Sequence, residues 1–134
     1  MHRSNRGFTL IEIMIVIAII GIVITIGYPS LTEYMKKARR TEIASLLSEQ
    51  AQILERHYSK NNVYTNATGL STGNDFYTIT PTTLTDQAFT LTALRKSGSS
   101  MATDKCGDFT INNTGKRDIV NSAADVTAKD CWGR

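Results

Sequence analysis

The chain has 134 residues, 41% of them hydrophobic and 20% charged. That suffices for one compact domain and excludes both a multi-span membrane protein and a wholly disordered chain. The net charge of +3 rests largely on Arg3 and Arg6; the remaining 13 basic residues face 12 acidic ones, too even a balance to imply nucleic acid from charge alone.

The composition divides sharply along the chain. Residues Ile13 to Thr32 form an uncharged run, most of it Ile, Val, Ala, Leu or Met, and its 20 residues are long enough to cross a bilayer. A secretory signal would have a shorter apolar core, of roughly 7–15 residues, and a small-residue cleavage site. This run ends instead in Gly27-Tyr28-Pro29-Ser30. Glu12 stands at its start, although an acidic side chain within a span costs roughly 2.5–3.5 kcal/mol, less near the end. Thr9-Leu10-Ile11-Glu12 fits a helix-capping box with Glu12 at the third position, favoured by the helix dipole. Glu12 also suits pairing with a cation from another chain, and spacing leaves both readings open.

Gly21 and Gly27 weaken the run by about 1 kcal/mol each relative to Ala. Pro29, lacking an N–H, is expected to kink or interrupt the helix. Ser30-Leu31-Thr32-Glu33 then reads as a second capping box. From Ser30 to Lys60 there is no Gly or Pro, and apolar residues recur three and four apart at Leu31, Met35, Ala38, Ile43, Leu46, Leu47, Ala51, Ile53, Leu54 and Tyr58, the mark of one buried helix face. Asn61-Asn62 is the expected stop. A helix from Phe8 to Tyr58, broken or not, is about 75 Å long, too long for a domain of this size to bury. Its N-terminal half is therefore expected to bury itself in lipid or in other subunits. Lys36, Lys37, Arg39 and Arg40 are expected at the membrane surface, with a solvated face as the alternative.

Asn61 to Asn74 reads as a connecting loop. Its sequon Asn66-Ala67-Thr68, like Asn112-Asn113-Thr114, is expected to carry no glycan. Phe76–Thr80, Phe89–Ala93 and Asp108–Ile111 alternate apolar residues with Thr, and Lys116–Val120 is a possible fourth strand after the Asn112–Gly115 turn. The expected fold is α+β: a helix, through Ile43, Leu47, Ile53 and Leu54, lying across a small antiparallel sheet. The only cysteines, Cys106 and Cys131, follow an N-terminal membrane segment, which suggests one disulfide, with two reduced core thiols as the alternative. A bridge over that loop stabilises by about 3.5 kcal/mol in the chain-entropy model. His2 and His57 are the only histidines, so no metal site is expected. No Ser/His/Asp set or glycine-rich phosphate loop is present either, so no enzyme activity and no cofactor are expected. Trp132 is expected to be partly buried against Cys131, with a base-stacking role as the alternative.

Arg6-Gly7-Phe8-Thr9-Leu10-Ile11-Glu12 resembles the class III signal of type IV prepilins. The resemblance implies that a prepilin peptidase cuts between Gly7 and Phe8 and methylates the new amine of Phe8. It implies that Glu12 aligns subunits by meeting the N-terminal amine of a neighbour, and that the stretch carrying Gly21, Gly27 and Pro29 melts on assembly. It also implies a pilin fold in which a Cys106–Cys131 disulfide bounds the C-terminal D-region. The division is then a leader (1–7), a hydrophobic helix (8–29) and a globular head (30–134). The cleavage chemistry has a physical logic, since it leaves a cation at Phe8 and an anion at Glu12 in low dielectric, and a neighbour in a fixed register pairs both. Glu55-Arg56-His57-Tyr58, Tyr64-Thr65, Asp104-Lys105-Cys106-Gly107, Asn112 to Gly115 and Cys131-Trp132 look more narrowly like PilE-type minor pilins and the related ComP DNA-uptake pilins.

The expected function is a structural, minor subunit of a type IV pilus supporting biogenesis, twitching motility or adhesion. Its partners are other pilin subunits, the inner-membrane assembly machinery and the prepilin peptidase. The expected location is the inner membrane with the head in the periplasm, then the surface filament. A bare count of basic residues around the span points the head to the cytoplasm instead; the cysteines and the resemblance outweigh it. Two alternatives stand: a competence pilin binding DNA through Lys105, Lys116, Arg117 and Lys129, and a type II secretion pseudopilin.

Overall fold

The computed structural model describes residues 5–133; His2, Arg3 and Arg134 lie outside the described residues, as does most of the expected leader. The elements run Leu10–Asn61 (α1), Tyr77–Leu84 (β1), Phe89–Arg95 (β2), Asp108–Asn112 (β3), Arg117–Val120 (β4) and Ala128–Trp132 (α2). The chain forms two compact units, Met1–Met35 and Lys36–Arg134.

In the first unit the Thr9–Glu12 capping box forms as expected. The Thr9 N–H donates to Glu12 Oε2 (2.9 Å) and the Glu12 N–H donates to Thr9 Oγ1 (3.2 Å). Pro29, expected to kink or interrupt the helix, does not interrupt it: α1 continues through it, and Ser30 lies inside the helix rather than at a new N-terminus. Neighbouring hydroxyls join the helical ladder on both sides, Thr25 Oγ1 donating to Gly21 O (2.7 Å) and Thr32 Oγ1 to Tyr28 O (3.0 Å). Pro29 itself supplies no N–H to the ladder, so Thr25 O loses its donor four residues on. No residue from 10 to 35 is buried.

The second unit packs the later part of α1 on a four-stranded antiparallel sheet ordered β1-β2-β3-β4. Ile43, Leu47 and Leu54 are fully buried with Tyr77, Phe89, Leu91 and Phe109, while Ile53 is only half-buried. Thr80, Thr92 and Thr110 stand in register across three strands, on the opposite side of the pleat from that core. β1 runs further than the alternation predicts. It passes through Pro81, which an edge strand tolerates, with an irregularity between Pro81 and Thr83. Asn62, at φ 58°, ends α1 at the expected place.

Arg40 corrects the expectation for the basic cluster. It is buried, its Nε donating to Asp104 Oδ2 (2.9 Å) and its Nη2 to Asp104 Oδ1 (2.5 Å). Burial pushes the Asp104 carboxyl up, but the Arg40 hydrogen bonds and charge outweigh it and hold the group below the usual carboxylate range. A second pair, Arg95 Nε to Asp108 Oδ1 (3.1 Å), lies close by in the chain, and Arg95 Nη1 also donates to Asp104 O (2.9 Å). These bonds fasten the segment after β2, including fully buried Met101, to the helix and sheet.

Removing one partner of such a buried pair leaves the other charge stranded. Asp104→Ala should therefore lower stability by about 3–5 kcal/mol in urea denaturation. Because the folded-state value of Asp104 is depressed, its contribution is present above about pH 4 and lost as pH falls through the folded value. Asp104→Asn should accordingly flatten the fall in stability between about pH 5 and pH 3, measured against the unaltered chain.

Candidate functional site

The residues expected to act in processing and assembly lie in the first unit. Gly7 and Phe8 precede the helix and are exposed, Phe8 at 87%. Glu12 is exposed in the first turn and holds the capping bonds described above, so the local reading of this residue is realised within the chain. Gly21, Gly27 and Pro29 all lie on the exposed helix, where a Cβ at either glycine meets nothing within 4 Å. The helix is long and apolar enough to cross a membrane.

In the head, Cys106 and Cys131 are joined as a disulfide, with a Cα–Cα distance of 5.8 Å, and both are buried. Two local devices aim the bridge. Gly107 adopts φ 69°, and a Cβ there would collide with the Val120 and Asn121 carbonyls, so only glycine lets β3 begin directly after Cys106. At the other end Thr127 and Asp130 form a capping box that starts α2 just before Cys131. The Thr127 hydrogen bonds hold the Asp130 carboxyl below its ordinary range. Trp132 is half-buried beside the bridge, packs edge-on against Phe109 (5.5 Å between centroids), and donates Nε1–H to Asp118 O (2.9 Å).

The four basic residues proposed for DNA are all exposed. Lys116 lies 3.7 Å from Asp118, and the Arg117 guanidinium stands over the Trp132 ring at 5.4 Å. Lys105 and Lys129 both lie within electrostatic reach of Asp130. The fold thus gathers positions that are distant in sequence, with the acids Asp118 and Asp130 interleaved. The Asn112 amide oxygen accepts from Thr114 N, Thr114 Oγ1 and Lys116 N, which fixes the turn leading into this region. Among the described residues no group of His, Cys, Asp and Glu has the makings of a metal site.

Sequence reasoning missed the Arg40–Asp104 and Arg95–Asp108 pairs. Arg40 and Asp104 are 64 residues apart, and no local pattern joins them.

A family model described as "Type IV minor pilin ComP, DNA uptake sequence receptor" matches residues 29–110, and one described as "Prokaryotic N-terminal methylation motif" matches residues 2–28. The chain belongs to the type IV pilins, in the ComP-type family that the first of these models describes. Among its relatives, the fimbrial protein EcpC of Eikenella corrodens is 41% identical over 64 residues, covering 48% of this chain and 42% of that protein. The type IV wide pilus major component PilA4 of Thermus thermophilus is 40% identical over 63 residues, covering 47% and 48%. The chain thus spans less than half the length of these curated relatives. A type IV pilin from Shewanella oneidensis superposes with a TM-score of 0.56 at 29% identity, covering 74% of this chain and 99% of that one. The minor pilin PilV of Neisseria meningitidis gives the same TM-score at 22% identity, covering 67% and 93%, and supports the fold alone.

Replacing both Cys106 and Cys131 by Ser should cost about 3.5 kcal/mol of stability. Amide hydrogen exchange should quicken first in α2 and β4, the elements that the bridge holds. Two titratable thiols in the air-oxidised, unfolded protein would contradict the disulfide.

Proposed function

We propose that the chain is a minor subunit of a type IV pilus whose head receives DNA at the filament surface. The observation that carries this reading is the match of residues 29–110, most of the head, to the family model of a DNA-uptake pilin. The chemistry around α2 supports it: Lys105, Lys116, Arg117 and Lys129 supply phosphate-pairing charge, and Trp132 supplies an aromatic surface beside Arg117. A purely structural subunit is the second reading, favoured by Asp118 and Asp130, which offset part of that charge.

The route to the filament follows from the first unit. A peptidase severs Gly7 from Phe8, Phe8 becomes the methylated N-terminus, and the leader 1–7 is lost. Residues 8–29 then anchor the subunit in the inner membrane, with the head 30–134 in the periplasm, until the assembly machinery transfers it to the filament. Glu12 leaves its cap on Thr9 and pairs with the terminal amine of a neighbouring subunit; charge neutralisation in an apolar surround sets the register. The segment holding Gly21, Gly27 and Pro29 gives up helix at that step, where Pro29 leaves one ladder bond already missing. Type II secretion remains the alternative machinery.

Two experiments test this. Glu12→Ala should reduce surface pili to near absence in cells that still process and insert the subunit, read by electron microscopy and N-terminal sequencing. Undiminished filaments would exclude the pairing. The full chain in detergent micelles should bind a short DNA duplex with an affinity that falls steeply with salt. Replacing Lys105, Lys116, Arg117 and Lys129 by Glu should flatten the slope of log affinity against log salt by about 0.9 for each phosphate no longer neutralised. Pili of normal number with no binding at low salt would leave the structural reading.

A further inference from the structure

A groove on the head carries polar groups that the fold does not use. Its volume is about 340 Å³, within the range of small-ligand sites, and it lies wholly in the second unit, between one flank of α1 and the β3–β4 turn. Ala51, Phe89 and Ile111 line it with apolar surface, and all three belong to the buried core. Gln52 and Glu55 line it from α1, and Asn113 and Arg117 from the hairpin. Both walls are held in place. The Tyr64 hydroxyl donates to Glu55 Oε1 (3.0 Å), and its ring stacks on Tyr58. The Asn113 N–H donates to Phe89 O (3.1 Å), and Asn112 Oδ1 stiffens the turn through the three bonds described above. Arg117 is the register partner of Ile111, and its guanidinium stands over the Trp132 ring. Among the described residues no hydrogen bond engages the side-chain amides of Gln52 and Asn113, the Arg117 guanidinium or Glu55 Oε2.

These unused groups define a ligand. A carboxylate at the groove repels phosphate and accepts from N–H donors, while a guanidinium fork donates to a pair of acceptors. Guanine alone among the DNA bases offers two adjacent N–H donors, at N1 and N2, together with two adjacent acceptors, O6 and N7. We propose that the groove receives one unpaired guanine base of bound DNA, with Glu55 accepting from its N1 and N2 and Arg117 donating to its O6 and N7. The proposal deepens the DNA reading above and rests on it for the source of the base. Lys116 stands between two groove-lining residues, Gly115 and Arg117, so a phosphate paired with Lys116 lies at the margin of the groove. A base stacked in a duplex does not reach such a groove. The site therefore selects single-stranded or frayed DNA, where unstacking costs least.

The test is a nuclear magnetic resonance titration of the full chain in detergent micelles with guanosine monophosphate. The adenosine, cytidine and uridine monophosphates and ribose phosphate are run beside it. Guanosine monophosphate should shift the amide signals of Gln52, Asn113 and Thr114 and bind about tenfold more tightly than the other nucleotides. Glu55→Gln, which still accepts from the Tyr64 hydroxyl, should lose that preference. Arg117→Lys, which keeps the charge but not the fork, should lose it as well. Equal affinities for the four nucleotides, or the same shifts with ribose phosphate, overturn the guanine site. Salt-sensitive duplex binding with no response to guanosine monophosphate overturns the guanine site and leaves the DNA reading standing. A guanosine response in a chain that binds no DNA overturns the DNA reading, and with it the proposed source of the base.

Discussion

Apolar surface must leave water, and the first unit of this chain has nothing of its own to cover it. From Leu10 to Met35 no side chain is buried, and most are Ile, Val, Leu or Met at half exposure or more. At about 25 cal/mol per Å² of apolar surface, such a rod is unstable in water at any useful concentration. Lipid or other copies of the chain have to supply the missing neighbours. The Thr9–Glu12 capping box starts this helix, and Pro29 lies within it.

The head resolves a different problem: a small sheet needs a cover and a long tail needs an anchor. The stripe Ile43, Leu47 and Leu54 supplies the cover, closing over Tyr77, Phe89 and Phe109. The Cys106–Cys131 bridge anchors the tail, and Trp132 wedges against Phe109 to finish the core at that side. Beyond the apolar packing, the α1–β1 connection is held by polar bonds. Buried Gln50 accepts from Ser71 N (2.6 Å), and Thr65 Oγ1 donates to Asp86 Oδ1 (2.6 Å). Tyr64 stacks on Tyr58 and donates to Glu55; burial and that carboxylate push its hydroxyl up to about 12.

Much of this was legible in the residues. The spacing of Thr9 and Glu12 names a helix start, the apolar period after Lys36 names the buried face, and the Thr alternation names three strands. What local pattern cannot supply is a partner. Arg40 reads as one more cation in a basic run because only the tertiary fold brings Asp104 to it. Pro29 reads as a kink or break because proline removes a backbone bond, yet α1 runs on through it with that one bond missing. Ser30-Leu31-Thr32-Glu33 has the form of a helix start, but the preceding turns continue into it, so no free N–H groups remain to be capped.

The margins of the sheet carry a consequence for how copies can join. One margin, β1, is interrupted by Pro81 and the irregularity before Thr83; the other, β4, is four residues long and has α2 docked on it. Neither offers the long, regular backbone ladder that crowded sheets use to zip together. Copies concentrated side by side are thereby denied a route into cross-strand clumps. Any association of copies is thereby directed to the apolar helix, whose Ile, Val and Leu side chains are left uncovered.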